Sequence, residues 1–467
     1  MRGFPLLVGI VGQDTIAESE LPSVKASARS IVDDLHRDYP HTEIVVFCAA
    51  NGRAAEAALD GALAAGARLV SPGRDAVTNE WIAAAHVLLL VWDRHTSALA
   101  CAQAAQIREG RFRGPDWRPL ENPDVGPYYV LDPSGTLAKE YPARYNDDAE
   151  GERDFHGALR ALDRYNHEMS AATTCRDETL EEIRAQTDAI ANRLQRSTVG
   201  WQTTLYALAL LAAVIQVVVP GWPWWIKVVV ILLTLVVYRI VRRHDVQNRY
   251  QDYRAVAEAL RVQNAWWCAT VGDAVHRAYL RMQQSELQWI RMVLRVAALL
   301  DRPAEIHLHP ESLRRWIDRQ QDYFLRAGNR AARREAVCHS AIGILVSANI
   351  VISLAAGISL SIWRGNLNAG ASIQFALGAF AACGAVLVGL LSSYAHARSF
   401  GENAKRYRRM FLLFGEARSE LEALLQTNEV EPIRHLVRAL GREALTEQAE
   451  WLLSQRDRPV SIVHGAG

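Results

Sequence analysis

The sequence predicts an α/β N-terminal domain with a mostly parallel sheet, followed by an all-α transmembrane domain with four membrane helices and long cytosolic helices. Three observations predict it. Short apolar, β-branched runs alternate with segments of helical periodicity through the first 145 residues. Apolar stretches of membrane length then occur twice as hairpins, and basic residues crowd one end of every such stretch.

Composition sets outer bounds. A formal charge of +1 over 467 residues gives no reason to expect a nucleic acid polymer as partner. Six cysteines stand apart with no Cys-x-x-Cys pair, so neither a metal knuckle nor a disulfide framework is expected. Met1-Arg2-Gly3-Phe4-Pro5 leads into a short apolar run with no cleavage site of small residues, which reads as a first strand on a cytosolic N-terminus and not as a signal peptide. The segments in order are an α/β domain over 1–145, a helical connector over 146–200, a first hairpin with its cytosolic helix over 201–300, a helix leading to the membrane over 301–337, a second hairpin with its helix over 338–427, and a tail over 428–467.

The strands are expected at Leu6 to Val11, Glu43 to Cys48, Ala67 to Val70, Val87 to Trp92 and Tyr128 to Leu131, with helices such as Ser23 to Asp38 and Arg53 to Ala65 between them. Ligands of parallel sheets sit at the carboxyl edge of the strands. The candidate ligand-binding residues are therefore Gly12, Gln13 and Asp14 after the first run, Ala49, Asn51, Gly52 and Arg53 after the second, and Trp92 and Asp93 after the fourth. Small residues and helix N-termini there let backbone N–H groups approach a phosphate. The same residues have plainer uses: glycine suits any strand-to-helix turn, Trp92 can close the sheet, and Asp93 can cap a helix or sit in a loop. Asp132-Pro133-Ser134-Gly135 reads as a turn, Asn146 to Glu152 as a polar linker, and Phe155 to Ser197 as helix.

Val8-Gly9-Ile10-Val11-Gly12, Asn51-Gly52-Arg53-Ala54-Ala55-Glu56, Val87 to Asp93, Asn122 to Pro127 and Phe155 to Asn166 together resemble the SLOG superfamily of Rossmann-like domains, over roughly the first 170 residues. The resemblance implies a Rossmann-like fold and a nucleotide-derived ligand. Gln13-Asp14 stands where such domains often have His-Arg, Thr96 to Ala100 replaces a Gly-Gly-Thr, and Ser71-Pro72-Gly73-Arg74 does not reproduce the motif that carries the catalytic glutamate of the hydrolase members. The resemblance thus implies a sensing pocket with no catalytic residue and no cofactor. A membrane-anchored nucleotide or N-glycosidic hydrolase and a constitutive scaffold are the alternatives.

Trp201 to Val219 and Trp224 to Val241 flank Pro220-Gly221-Trp222-Pro223 as one hairpin. Cys338 to Ile362 and Ala371 to Tyr394 form the second, around a connector at 363–370. At ~1.5 Å per residue each run matches a hydrocarbon core of ~30 Å. Arg193, Arg196, Arg239, Arg242, Arg243, Arg330, Arg333, Arg334 and Arg398 mark one side, against Lys227 and Arg364 on the other, which places both termini in the cytosol, and the SLOG resemblance implies that the membrane is a bacterial inner membrane. Ser347, Asn349 and Ser353 of the third crossing are candidates for lining a pore or for packing helices closely. Between the hairpins, Trp266 to Leu300 and Pro310 to Arg334 read as long helices. Arg314, Arg315, Arg326, Arg330, Arg333 and Arg334 can meet anionic lipid, and His307 and His309 lack a third metal ligand nearby, so no metal is expected.

Each hairpin is followed by an Arg-x-x-x-Glu step, Arg254 with Glu258 and Arg398 with Glu402. These are candidate coupling residues, or simply i,i+4 ion pairs on solvated helices. The text Tyr253-Arg254-Ala255-Val256-Ala257-Glu258-Ala259-Leu260-Arg261-Val262-Gln263 resembles the SLATT family, two-helix membrane effector domains. That resemblance implies an oligomeric antiphage effector, in which a nucleotide second messenger controls ion permeation or membrane disruption.

Overall fold

The computed structural model describes residues 3–49, 52–71, 78–94, 98–109, 126–134, 136–142, 148–172, 179–218, 224–280, 287–300, 307–362, 367–427 and 429–456. Asn51, Ser97, Pro72 to Arg74, Asn122 to Val125, Pro220 to Pro223, Asp301 to Pro303 and the hairpin connector at 363–366 lie outside these residues.

The sheet follows from central strands that carry no charged side chain. β1 (Leu6–Gly12) is buried along its whole length, and β2 (Ile44–Cys48) and β4 (Val87–Val91) are nearly as apolar. With β3 (Arg68–Leu69), β5 (Tyr128–Leu131) and β6 (Leu137–Glu140) they form one mixed sheet of order β3-β2-β1-β4-β5-β6. All neighbours are parallel except β5 and β6. Strands buried on both faces must read as continuous apolar runs, which is why β1, β2, β4 and β5 were legible; β3, exposed at both residues, was found from its place in the βα alternation. The antiparallel edge β6, half-exposed and carrying Lys139 and Glu140, has no such signal.

Helices α1 (Leu21–Asp38), α2 (Arg53–Ala64), α3 (Thr78–Ala84) and α4 (Leu99–Arg108) connect the parallel strands. Helix α1 starts with Pro22 in its first turn and buries Val24, Ala28, Ile31, Val32 and Leu35 along one face. Gly61 of α2 admits α1 so closely that a Cβ would lie 2.2 Å from the Lys25 carbonyl oxygen. Helix α5 (Asp148–Ala172) is tied to the start of β1 through Asn166, which accepts from Phe4 N–H at 3.0 Å and donates to its carbonyl at 2.9 Å. The stretch read as a linker up to Glu152 is thus helical from Asp148.

Helices α6 (Leu180–Val218), α7 (Trp224–His244) and α8 (Val246–Cys268) follow, then the short α9 (Val275–Ala278) and α10 (Gln288–Leu300). The single helix expected over Trp266 to Leu300 is instead broken, with Thr270 and Leu280 in the left-handed region at φ 59° and 53°. Gln263 explains the break: its Oε1 accepts the Val275 N–H at 2.8 Å, a buried bond that turns the chain back onto α8. The remaining helices are α11 (Pro310–Ile362), α12 (Leu367–Arg398), α13 (Phe400–Thr427) and α14 (Val430–Arg456).

The chain divides into two compact units, Met1–Ile190 with Asp252–His307, and Ala191–Gln251 with Leu308–Gly467. The segment 201–300 therefore does not stay together: its last part belongs with the sheet. In this α/β unit Tyr165 of α5 meets Tyr253 of α8 edge to face and Trp289 of α10 at 5.7 Å, and Trp266 is fully buried.

The second unit is helical. Arg314 with Glu422, Asp318 with Arg418, Gln321 against Gly415, Phe324 on Phe414, and Glu335 against Gly401 step in opposite directions along α11 and α13. They describe an antiparallel pair roughly 30 Å long at ~1.5 Å per residue. Among the described residues two helical stretches, Pro310–Ile358 and Phe375–Thr427, are long and apolar enough to cross a membrane, each with a window of mean hydropathy 2.2 and none of it buried; Val228–Ile240 is a shorter apolar stretch.

Candidate functional site

Strands β1 and β4 are neighbours while the chain runs outward from them in both directions, so the carboxyl ends of these two strands form the switch point of the sheet. A cavity of about 310 Å³ opens there, lined among others by Gln13, Thr15, Glu20, Asp93, Asp132 and Pro133. Of the candidate ligand residues, Gln13 and Asp93 line it.

Gln13 organises the mouth. Its side chain is buried, donates to the Thr15 carbonyl at 2.9 Å and accepts the Asp93 N–H at 3.0 Å, and its own N–H bonds the Val91 carbonyl. One amide thereby fixes both the loop after β1 and the loop after β4. Below it the Cys101 thiol of α4 points at the carbonyls of Val11 and Val91. Burial, with Asp14 and Asp93 nearby, pushes that thiol up to about 12, so it stays protonated and is no nucleophile.

The other candidates have structural occupations. A Cβ on Gly12 would lie 2.5 Å from the Ala55 backbone nitrogen, so this glycine admits the first turn of α2. Gly52 is the extended N-cap of α2, and Ala49 bonds the Ile10 carbonyl through its N–H. Arg53 is turned to Glu18 at 2.9 Å, Asp14 is exposed, and Trp92 packs half-buried on the core while its N–H bonds the Leu131 carbonyl. Thr15 and Glu20 were not singled out in the sequence, and Asp132 and Pro133 were read only as part of a turn. Asp132 and Pro133 directly follow β5, so extending the strand-edge rule to the fifth strand would have found them.

The lining is acidic. Glu20, Asp93 and Asp132 face a common space, whereas Arg53 and Arg94 are drawn to Glu18 and Glu140. Carboxylates there suit hydroxyl or amino groups, such as those of a ribose, and repel a bare phosphate. Among the described residues no group of three or more His, Cys, Asp or Glu side chains could hold a metal ion.

The two Arg-x-x-x-Glu steps differ in setting. Arg254 and Glu258 lie within α8 in the α/β unit, and Glu258 is paired with Arg261. Burial works against the Glu258 charge, but Arg261, Arg254 and Arg184 hold its carboxyl below the usual carboxylate range. Arg398 ends α12 in the helical unit and donates to Gln202 Oε1 at 3.3 Å, while Glu402 lies in the first turn of α13. Between them Ser399 is left-handed at φ 47°, and Asp245, between α7 and α8, is left-handed at 46°. Aspartate and serine tolerate this break better than bulkier residues, because their short side chains bond locally: Asp245 Oδ1 accepts from Asn248 at 2.7 Å.

In α11, Asn349 faces α12 at Gly384, where a Cβ would lie 3.3 Å from its amide. Its Oδ1 is buried without a hydrogen-bond partner among the described residues. Ser347 and Ser353 are exposed, on faces that the chain itself leaves uncovered.

Comparison with family models, with curated proteins and with solved structures finds no match.

Proposed function

We propose that this chain is a membrane effector controlled by a nucleotide-derived signal. The α/β unit binds the signal at the switch-point cavity, by its sugar or base. The helical unit makes four crossings, using α6 from Trp201, α7, α11 and α12, with both termini on the cytosolic side of a bacterial inner membrane. Copies assemble into a homo-oligomer that conducts ions or disrupts the bilayer, as in antiphage defence. The SLOG-like and SLATT-like text supports this reading.

The observation that carries it is the pairing, in one chain, of a switch-point cavity with apolar helices that the chain does not bury. Ile344, Val351, Leu354 and Ile358 of α11 are all more than half exposed, as are Val229, Ile231 and Leu235 of α7. Such faces need lipid or another copy. A single chain of slim helices with few central polar groups makes a poor pore, hence the oligomer.

The test is ion flux from liposomes holding the full chain, challenged with cyclic oligonucleotides and ADP-ribose derivatives. One ligand class is expected to open flux in the wild type, to be recovered chemically unchanged, and to be at least tenfold weaker for Asp93→Asn with Asp132→Asn, the loss of a charged hydrogen bond being about 1.5–3 kcal/mol. Silence toward every compound sinks the sensing role.

A further inference from the structure

Helix α6 brings Arg196, helix α11 brings Arg333 and Arg334, and helix α12 ends on Arg398 around one cavity of about 670 Å³ in the helical unit. Apolar wall is supplied by Val337 and Tyr394. The cavity lies at a boundary: Val337, 61 % exposed, begins the exposed apolar face of α11 within a turn of the arginine pair.

The wall is built by contacts within the unit. Tyr206 of α6 meets Tyr394 edge to face at 5.5 Å, Tyr394 in turn meets Phe400 at 6.0 Å, and Arg398 donates to Gln202 of α6. Glu335, the carboxylate next in the α11 sequence, is turned toward Gly401 of α13, where a Cβ would lie 2.2 Å from its Oε1. Arg196, Arg333 and Arg334 form no ion pair with a described carboxylate. Nearer the start of α11, Arg314 is held by both oxygens of Glu422 and Arg315 by Glu311, whereas Arg319, Arg326 and Arg330, which do not line the cavity, form no ion pair with a described carboxylate. What sets Arg196, Arg333 and Arg334 apart is that they line one cavity where the apolar face starts.

We propose that this cavity is a binding site for the phosphate of an anionic lipid headgroup, with Arg196, Arg333 and Arg334 as its ligands and Val337 and Tyr394 against the upper acyl chains. Guanidinium groups match phosphate oxygens two at a time, and three of them converge from two helices that are distant in sequence. The volume falls in the range of small-molecule sites. Occupancy would tie α6 to α11 at the membrane rim, so lipid composition would bias how the helices pack. This rests on the reading that these helices cross a membrane.

Full-length protein in neutral detergent is titrated with phosphatidylglycerol, phosphatidylcholine or inorganic phosphate while its melting temperature is followed. Phosphatidylglycerol is expected to raise the wild-type midpoint, with at least a tenfold higher half-saturating mole fraction for R333Q/R334Q. The charge-matched R326Q/R330Q, whose side chains lie outside the cavity, is expected to respond like the wild type. An equal response to inorganic phosphate would show a soluble-anion site, an equal response to phosphatidylcholine an apolar groove, and an equal loss in both double variants diffuse surface charge; each overturns the proposal. Alkaline carbonate extraction of native membranes is read separately. Release of the chain sinks the crossing and the lipid site together, whereas retention without a phosphatidylglycerol preference sinks the lipid site alone.

Discussion

The two units use the same apolar residue types in opposite ways. In the α/β unit the valines, leucines and isoleucines of β1 and β4 are sealed inside the sheet, and the cavity at the strand ends is lined by carboxylates. In the helical unit Val337, Ile344, Ile350, Val351, Leu354 and Ile358 of α11 face outward, and the cavity at their base is lined by arginines. A net charge of +1 averages these two regions to nearly nothing. Burial therefore decides stability in the first unit, while the second leaves its apolar faces to the surroundings.

That contrast can be broken most sharply in the cores. Trp266→Ala removes a fully buried indole and is expected to cost about 3–5 kcal/mol, whereas Ile350→Ala, on an exposed α11 face, should shift the melt in detergent by no more than about 0.5 kcal/mol. Equal losses would mean that the α11 face is covered after all.

Acid should act next, and through the α/β unit. Burial, then Arg295, Arg277 and Arg291, hold the His276 imidazole well below its ordinary value of 6.5, so it is neutral when folded. Glu80, on Arg277, is the carboxylate paired in this neighbourhood. Unfolding lets the ring take up a proton. Stability from this group is full above 6.5 and falls as pH drops below it, by up to about 1.4 kcal/mol per pH unit. Denaturant midpoints of the wild type and His276→Asn between pH 8 and 5 check this; parallel curves would remove His276 from the account.

Gln13→Ala, which leaves the Asp93 N–H without its acceptor at the cavity mouth, is expected to cost about 1–3 kcal/mol and to raise hydrogen exchange in the loops after β1 and β4. Unchanged exchange would reduce Gln13 to a spectator. Arg315→Ala, which removes an exposed pair with Glu311, should change stability by less than about 0.5 kcal/mol, in contrast to the arginines of the cavity, whose effect should appear only with anionic lipid.

What was legible in the sequence has a common cause. Strands buried on both faces and apolar helices announce themselves because one solvent preference extends over many consecutive residues. What escaped was decided by single side-chain partners. The break after Cys268 depends on Gln263 reaching Val275, and the pairing of Glu258 with Arg261 depends on rotamers. The cavity mouth depends on loops 80 residues apart in sequence but adjacent in register, Gln13 beside Asp93 because Gly12 pairs with Val91.

By itself, then, the sequence determined a mostly parallel α/β module, two long apolar helices and the basic residues at their ends, since hydropathy is additive along a chain. Only the tertiary structure decided that residues 252–280 and 287–300 belong to the α/β unit, that Gly12 lies against the first turn of α2, and that carboxylates from the segments after β1, β4 and β5 share one cavity while arginines from α6, α11 and α12 share another. Those outcomes rest on which surfaces meet, and a local pattern carries no record of its distant partner.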